Sequence, residues 1–523
     1  MPIPQKSNPI RLYCCFVWLL LLCGQCKFPE QQPFVALEAK FETVAVGQTQ
    51  SPVAFIQRSS STAGQFLWKF GDGAESIKRN PVHTYTEPRL FYEVELITFK
   101  SQSKNGLTDT TRQRIQIIPR TEALSVVNAK YLGTHEEEET GFAMAPTPEG
   151  GYLLAGRQGL YKLHLIKTNA DGEQVWAKSL NIGRYLIFVT EIIALRSADP
   201  TDQGYVITGY EELGPNTHNA FVVRVNAQGV KQWERRLNAE SEDELYKGVV
   251  EVGEDLLVLG KAKGISFIDT YARNGTQKSR NVLGSFEAES MLLTHNNELV
   301  FGGSIEGQPG VLRTDLDFNS LASKRVVIQT NQEDILITGK VNKVVELEDH
   351  NLVLIGQGSV DAENVSQGVR DFLKSLGITT FNPSMLGQGL GNLPINQDDL
   401  DTVRRVSTAF VIKMVASVGN TIRWKPLISY LDSVSLHDLT ETNDGSLVVV
   451  GEYDNPFNNQ DMVLIKFDKQ LNLLPENLRL IGTPHNEVAR NIWYDPTRNR
   501  VLFLGSGQRF DQLNDFLLGH LDF

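Results

Sequence analysis

The side chains able to do chemistry are spread thinly along this chain. Nine histidines occur, and none stands in an H-E-x-x-H run or another close metal-ligand spacing, so a zinc site would need residues gathered by the fold. His135 precedes Glu136-Glu137-Glu138-Glu139, a run that belongs in a solvated loop rather than a site. Asp315-Leu316-Asp317-Phe318-Asn319 has the first three ligand spacings of a calcium loop. Its sixth position is Ser320 rather than Gly, however, and its twelfth is Val326, which supplies no carboxylate. The segment therefore reads as the end of a strand and its turn. Gly387, Gly389 and Gly391 follow no strand, as a phosphate cradle would require. No G-x-S-x-G elbow occurs, and Gly505-Ser506-Gly507 closes a repeated strand. The reading is of a protein with no catalytic, metal or cofactor set.

All four cysteines, Cys14, Cys15, Cys23 and Cys26, fall at the N-terminus, so the rest of the chain needs no disulfide and has no thiol nucleophile. Lys6 and Arg11 precede an apolar stretch from residue 12 to 22. That order is the one found in a secretory signal, and the stretch is too short to span a bilayer comfortably. Residues 1–26 are accordingly read as a signal segment. Cys26, just past the apolar region, resembles the lipid-modified cysteine of bacterial lipoproteins. The preceding Cys23-Gly24-Gln25 departs from the Leu and small-residue pattern of that signal, and cleavage with simple secretion stays open beside lipidation.

The net charge of −12 argues against a sequence-independent grip on nucleic acid, which needs clustered positive charge. With 41% hydrophobic and 21% charged residues the chain has an ordinary globular composition. At 523 residues it is long enough for two or three domains.

Two kinds of element must position whatever site exists. From about residue 34 to 119, short segments with apolar residues at period two alternate with polar turns, as in 41–46, 66–70, 92–99 and 114–118. Within them stand Trp68-Lys69-Phe70-Gly71-Asp72-Gly73, then Pro81-Val82-His83-Thr84-Tyr85, then Tyr92-Glu93-Val94-Glu95-Leu96. These resemble, in order, the W-x-F-G-D-G, P-x-H-x-Y and Y-x-V-x-L segments of the PKD domain. Trp68 and Phe70 share one face of a strand, while Gly71 and Gly73 permit a tight turn around Asp72. Asp72, His83 and Tyr85 are read as turn and corner residues. The resemblance implies an extracellular spacer or a carbohydrate- or protein-contacting module.

Beyond Arg120 an apolar strand ending in glycine recurs, with glycines at 156, 209, 260, 302, 356, 451 and 505, mostly about 50 residues apart. Each is followed by a partner strand, and three partners lead through a turn to Trp176, Trp233 or Trp424. Repeats this long, with several strands each, are blades of a propeller, and seven units predict seven blades, with six or eight left open because closure can borrow a strand from a chain end. The glycines are read as close-packing positions and the tryptophans as wedges between blades. The pattern resembles the repeats of quinoprotein-like bacterial propellers. Residues 357–409 read as an insertion, and long insertions emerge on one face of a ring and often carry function.

The expected architecture is all-β: an Ig-like, PKD-like sandwich at 34–119 and a seven-bladed propeller at 125–523. The expected function is a non-enzymatic binding or scaffold protein of a bacterial outer surface or periplasm. Its partners would be glycans or envelope proteins and its cofactors none, with membrane contact only through a lipid anchor. The alternative is a carbohydrate-active or quinone-dependent enzyme with carboxylates meeting at the channel mouth.

Overall fold

The computed structural model describes residues 36–522, apart from 101–106, 135–136, 198, 200–201, 216, 238–242, 330–333, 337, 362–404, 415–420, 427–433, 458 and 510–512. The signal segment with Cys26 and most of the insertion, including the glycines at 387–391, lie outside the described residues. The chain divides into two compact units: the chain up to Val44 with Val53–His83 and Glu93–Gln113, and Ala45–Pro52 with Thr84–Tyr92 and Arg114–Phe523.

The N-terminal part is a β-sandwich. One sheet has five strands in the order Val46–Gln48, Thr108–Ile118, Arg89–Lys100, Ala63–Lys69 and Glu75–Ser76. Two short pairs, Phe41–Glu42 with Ile56–Gln57 and Pro52–Ala54 with Val82–Thr84, complete it. Period-two patterning puts Trp68 and Phe70 inward, and both are buried. Trp68 meets Phe41 edge-on at 5.1 Å, and its indole N–H donates to the Lys78 carbonyl at 2.9 Å, so the one polar atom of a buried ring is satisfied.

The remainder is a ring of seven four-stranded antiparallel sheets. Their inner strands are Glu139–Pro146, Leu186–Ala194, Glu244–Val252, Phe286–Leu293, Thr338–Glu346, Val434–Glu441 and Glu487–Asp495, which number blades 1 to 7. Blade 7 draws three strands from the chain's end and its outer strand, Lys130–Leu132, from the propeller's start, with Tyr131 opposite Leu517. The inner strand of blade 7 packs in turn on that of blade 1, so the first and last blades are stitched together.

The repeated glycines do not end their strands. Each lies inside the second strand of its blade and pairs with the inner-strand residue just before a bulge, as Gly451 does with Leu436 and Gly505 with Ala489. In blade 4 the glycine in this register is Gly303, opposite Ala288, rather than Gly302. In six blades the bulge presses a backbone carbonyl against the glycine: a Cβ on Gly303 would lie 2.0 Å from the Glu287 oxygen, and one on Gly451 2.0 Å from that of Ser435, whereas in blade 3 the rings of Phe267 and Tyr246 crowd Gly260. The period thus reports a bulge that turns one residue per blade out of the pleat, namely Phe142, Thr190, Lys247, Glu289, Asn342, His437 and Arg490.

Two of the tryptophans are wedges. Trp176 of blade 1 lies against Gly229 of blade 2, and Trp233 of blade 2 against Gly275 of blade 3, where it also donates to the Arg273 carbonyl at 2.7 Å. The side chain of Trp424 lies outside the described residues. Asn226 caps the Gly229 turn by accepting the Gln228 and Val230 amides, as Asn169 does for Asp171 and Glu173, and Asp315 plays the same part. It accepts the amides of Asp317 and Asn319 at 3.0 and 2.8 Å, as Asp468 does for Gln470 and Asn472.

The insertion is narrower than its sequence limits. Residues 357–361 pair with 405–409, Gln357 opposite Ala409 and Asp361 opposite Arg405, as the outer ends of blade 5's second and third strands.

Candidate functional site

In blade 2 the connection from blade 1 crosses above the hairpin between the second and third strands, Gly204–Gly214 and Thr217–Asn226. Between them is a pocket of about 890 Å³ lined by Asn181 to Tyr185, Glu211, Leu213, Thr217, Asn219 and Arg236. It opens on the face where inner strands begin, the face toward which Asp361 and Arg405 also point their strand ends in blade 5.

Glu211 organises this pocket. Its buried carboxylate accepts the Tyr185 amide at 2.6 Å, the Arg184 amide, and Arg236 Nη1 at 2.7 Å. Burial alone would raise its pKa, but the two amides and the guanidinium outweigh that and hold it below the usual carboxylate range. Arg236 is fixed a second time through Nε to Glu234 at 2.7 Å. Its Nη2 and the Oδ1 of Asn219 are buried without a hydrogen-bond partner among the described residues. Both residues line the pocket, so it carries one unsatisfied donor and one unsatisfied acceptor, the complement of a hydroxyl-bearing ligand. Tyr185, 51% exposed, stands at the rim and can offer a ring face to apolar C–H groups.

A second polar cluster crosses the ring. Lys343, the residue after the bulge of blade 5, has its ammonium 3.6 Å from Glu191 of blade 2 and 3.9 Å from Asp438 of blade 6. Blades 2 and 5 are three places apart in a ring of seven, so the pair spans the central channel. The carboxylates of Asp438 and Glu191 raise the Lys343 pKa against burial, whereas burial pushes Glu191 up. Asn491 of blade 7 extends the cluster, donating to Asp438 at 2.6 Å and accepting the Met144 amide of blade 1 at 3.0 Å.

Of the residues singled out from sequence, Asp72 and His83 form a pair at 2.6 Å. Asp72 also accepts the Ala74 amide at 3.0 Å, and the His83 ring stacks on Phe70 at 4.2 Å. Gly71 (φ +84°) and Gly73 (φ +95°) hold the left-handed backbone of that turn, and a Cβ on Gly71 would meet the Glu93 oxygen at 2.8 Å. Tyr85 is fully buried and packs on Tyr92 at 4.3 Å. The acidic run is not one solvated loop. His135 and Glu136 lie outside the described residues, Glu137 and Glu138 pair with Lys162 and Arg157, and Glu139 is fully buried. It begins an inner strand and accepts from the Thr134 hydroxyl at 2.5 Å and Gln158 at 2.8 Å. Sequence reading missed Glu211, Arg236 and Asn219, although Glu211-Glu212-Leu213-Gly214-Pro215-Asn216 marked a longer hairpin there.

No protein-family model matches the chain, and no curated protein matches its sequence. Among solved structures, a PKD domain of the Vibrio cholerae metalloprotease PrtV is 30% identical, covering 16% of this chain and 98% of that one at a TM-score of 0.14. A quinoprotein alcohol dehydrogenase-like protein of Bacteroides thetaiotaomicron is 9% identical, covering 85% and 97%, with a TM-score of 0.36. Drosophila semaphorin 1a is 10% identical, covering 76% and 88%, with a TM-score of 0.36. The propeller rests on its own seven sheets.

Proposed function

We propose that this is a non-enzymatic binding protein of a bacterial cell envelope, in which a PKD-like spacer carries a propeller whose blade 2 pocket recognises a glycan. The observation that carries the reading is a pocket lined by Arg236 and Asn219, each keeping a polar atom without a protein partner among the described residues, together with an exposed tyrosine. Sugars present hydroxyls for the first and a C–H face for the second. Glycoside hydrolysis uses two carboxylates flanking the bond. Among the described lining residues Glu211 is the one carboxylate, and both its oxygens are engaged, which supports binding over turnover. The PKD-like part rests on the Trp68 to Gly73 motif and the turn it builds.

Export belongs to the same proposal and rests on residues 1–26, with Cys26 as the lipid-bearing residue. No helix among the described residues is long and apolar enough to cross a membrane. In bacterial cells fed an alkynyl fatty acid, the wild type is expected to take up label and Cys26→Ala to lose it. Equal labelling of both would remove the anchor from the proposal. For the pocket, a glycan array probed with residues 27–523 and with the Tyr185→Ala form is expected to show saturable binding that the substitution removes. Binding unchanged by Tyr185→Ala but lost with residues 362–404 would move the site to the insertion, and no binding at all would favour a protein partner.

A further inference from the structure

On the opposite face, where inner strands end, three potential ligands meet between blades 4 and 5. His295 lies in the turn after the inner strand of blade 4, Glu346 ends the inner strand of blade 5, and His350 lies in the turn that follows. One nitrogen or oxygen from each lies within 4.8 Å of the others. The imidazoles stack with centroids 3.4 Å apart, and both ring Nδ1 atoms face the same carboxylate oxygen of Glu346. We infer that His295, Glu346 and His350 form a binding site for a divalent transition-metal ion, of the zinc or copper kind.

The comparison with other blades separates this site from the ring's ordinary construction. A glutamate near the end of one inner strand repeatedly accepts an amide from the preceding blade's turn: Glu251 from Arg196 at 2.9 Å, Glu441 from Glu348 at 2.7 Å, and Glu346 from His295 at 2.9 Å. At the blade 2–3 junction the spare charge of Glu251 is met by Arg273 at 2.6 Å. At the blade 4–5 junction two imidazoles stand in place of that guanidinium. Only one of these positions suits histidine easily. His350 has φ +60°, in a turn where other blades use Gly150, Gly253, Asn297, Gly445 or Asn499 in the same left-handed region, a conformation that disfavours a residue with a Cβ.

The donor set fixes the class of ion. Two neutral imidazoles and one carboxylate match zinc, copper or nickel, whereas calcium and magnesium take oxygen ligands. Ligand atoms at about 2.1 Å around a tetrahedral ion stand roughly 3.4 Å apart, within reach of rotations about χ1 and χ2 from the present spacing. The remaining position opens to water, since His295 and His350 are 40% and 57% exposed. An ion held there ties the turn of blade 4 to that of blade 5.

The test is calorimetric titration of the untagged, EDTA-stripped intact protein with Zn2+, Cu2+ and Ca2+, beside thermal unfolding with and without Zn2+. The expected result is one equivalent of Zn2+ bound at micromolar affinity with a Tm raised by a few degrees, and no response to Ca2+. His350→Gly suits the turn's backbone and keeps the fold, yet is expected to weaken Zn2+ binding at least tenfold, as is His295→Ala. Absence of Zn2+ binding up to millimolar concentration would overturn the inference. So would one-equivalent binding of equal strength in both variants.

Discussion

Lys343 shows how a single residue's role depends on partners far away in sequence. Its counter-ions are Glu191 and Asp438, on two other blades, and no spacing rule links those three positions. Removing the cation leaves two carboxylates facing each other in the channel. Lys343→Met is therefore expected to destabilise by about 2–3 kcal/mol, below the full cost for a sealed pair because Lys343 and Glu191 retain 30% and 25% exposure. Chemical denaturation would check this, and an unchanged midpoint would refute the role. Glu211 makes a prediction in pH. Its folded pKa lies below the ordinary value of about 4.3. Its stabilisation is then complete above that value and disappears as pH falls through the lower, folded one. Glu211→Gln should be less stable than wild type by about 1–2 kcal/mol at pH 7, with the difference closing only below about pH 4. A gap that persists unchanged to pH 3 would contradict the assignment. The sequence displayed Asp72 and His83 because their motif is local. It concealed Glu211 and Arg236, which look like ordinary strand charges until the hairpin and the blade connection converge.

The seven glycines carry the clearest message among the elements, and the sequence placed them without revealing their cause. An apolar run closed by glycine looks like a strand and its end. In the structure the strand continues, and the glycine marks where the neighbouring inner strand bulges and its carbonyl approaches. One-dimensional periodicity cannot show this because the bulge is on the other strand. Gly451→Ala puts a methyl 2.0 Å from the Ser435 oxygen. It should cost about 1–3 kcal/mol, more than alanine substitution at Gly253, where nothing lies within 4 Å and only the positive φ opposes it. Equal losses of urea stability at the two sites would show that the bulge exerts no steric demand. The tryptophan wedges were legible because turn and Trp recur at fixed spacing, whereas the short fourth strand of blade 7 was not. Lys130–Leu132 spans three residues and is recognised only by its pairing with the chain's end.

Across the whole molecule, the blade number followed from repeat length, since it depends on a sum over many residues. The pocket and the histidine pair were hidden because each joins residues from adjacent blades or connections. Inner strands meet all the way round, and the first blade is stitched to the last through Lys130–Leu132 and through Asn491 to Met144. A binding role for such a platform is most directly tested at Asn219, a pocket-lining residue whose Oδ1 has no protein partner among the described residues. The measurement is calorimetric affinity of the strongest array glycan for wild type and Asn219→Ala, with folding of both confirmed by circular dichroism. Binding weakened about tenfold, equivalent to about 1.4 kcal/mol, is the result the pocket reading predicts. Equal affinity of the two proteins for that glycan would contradict it.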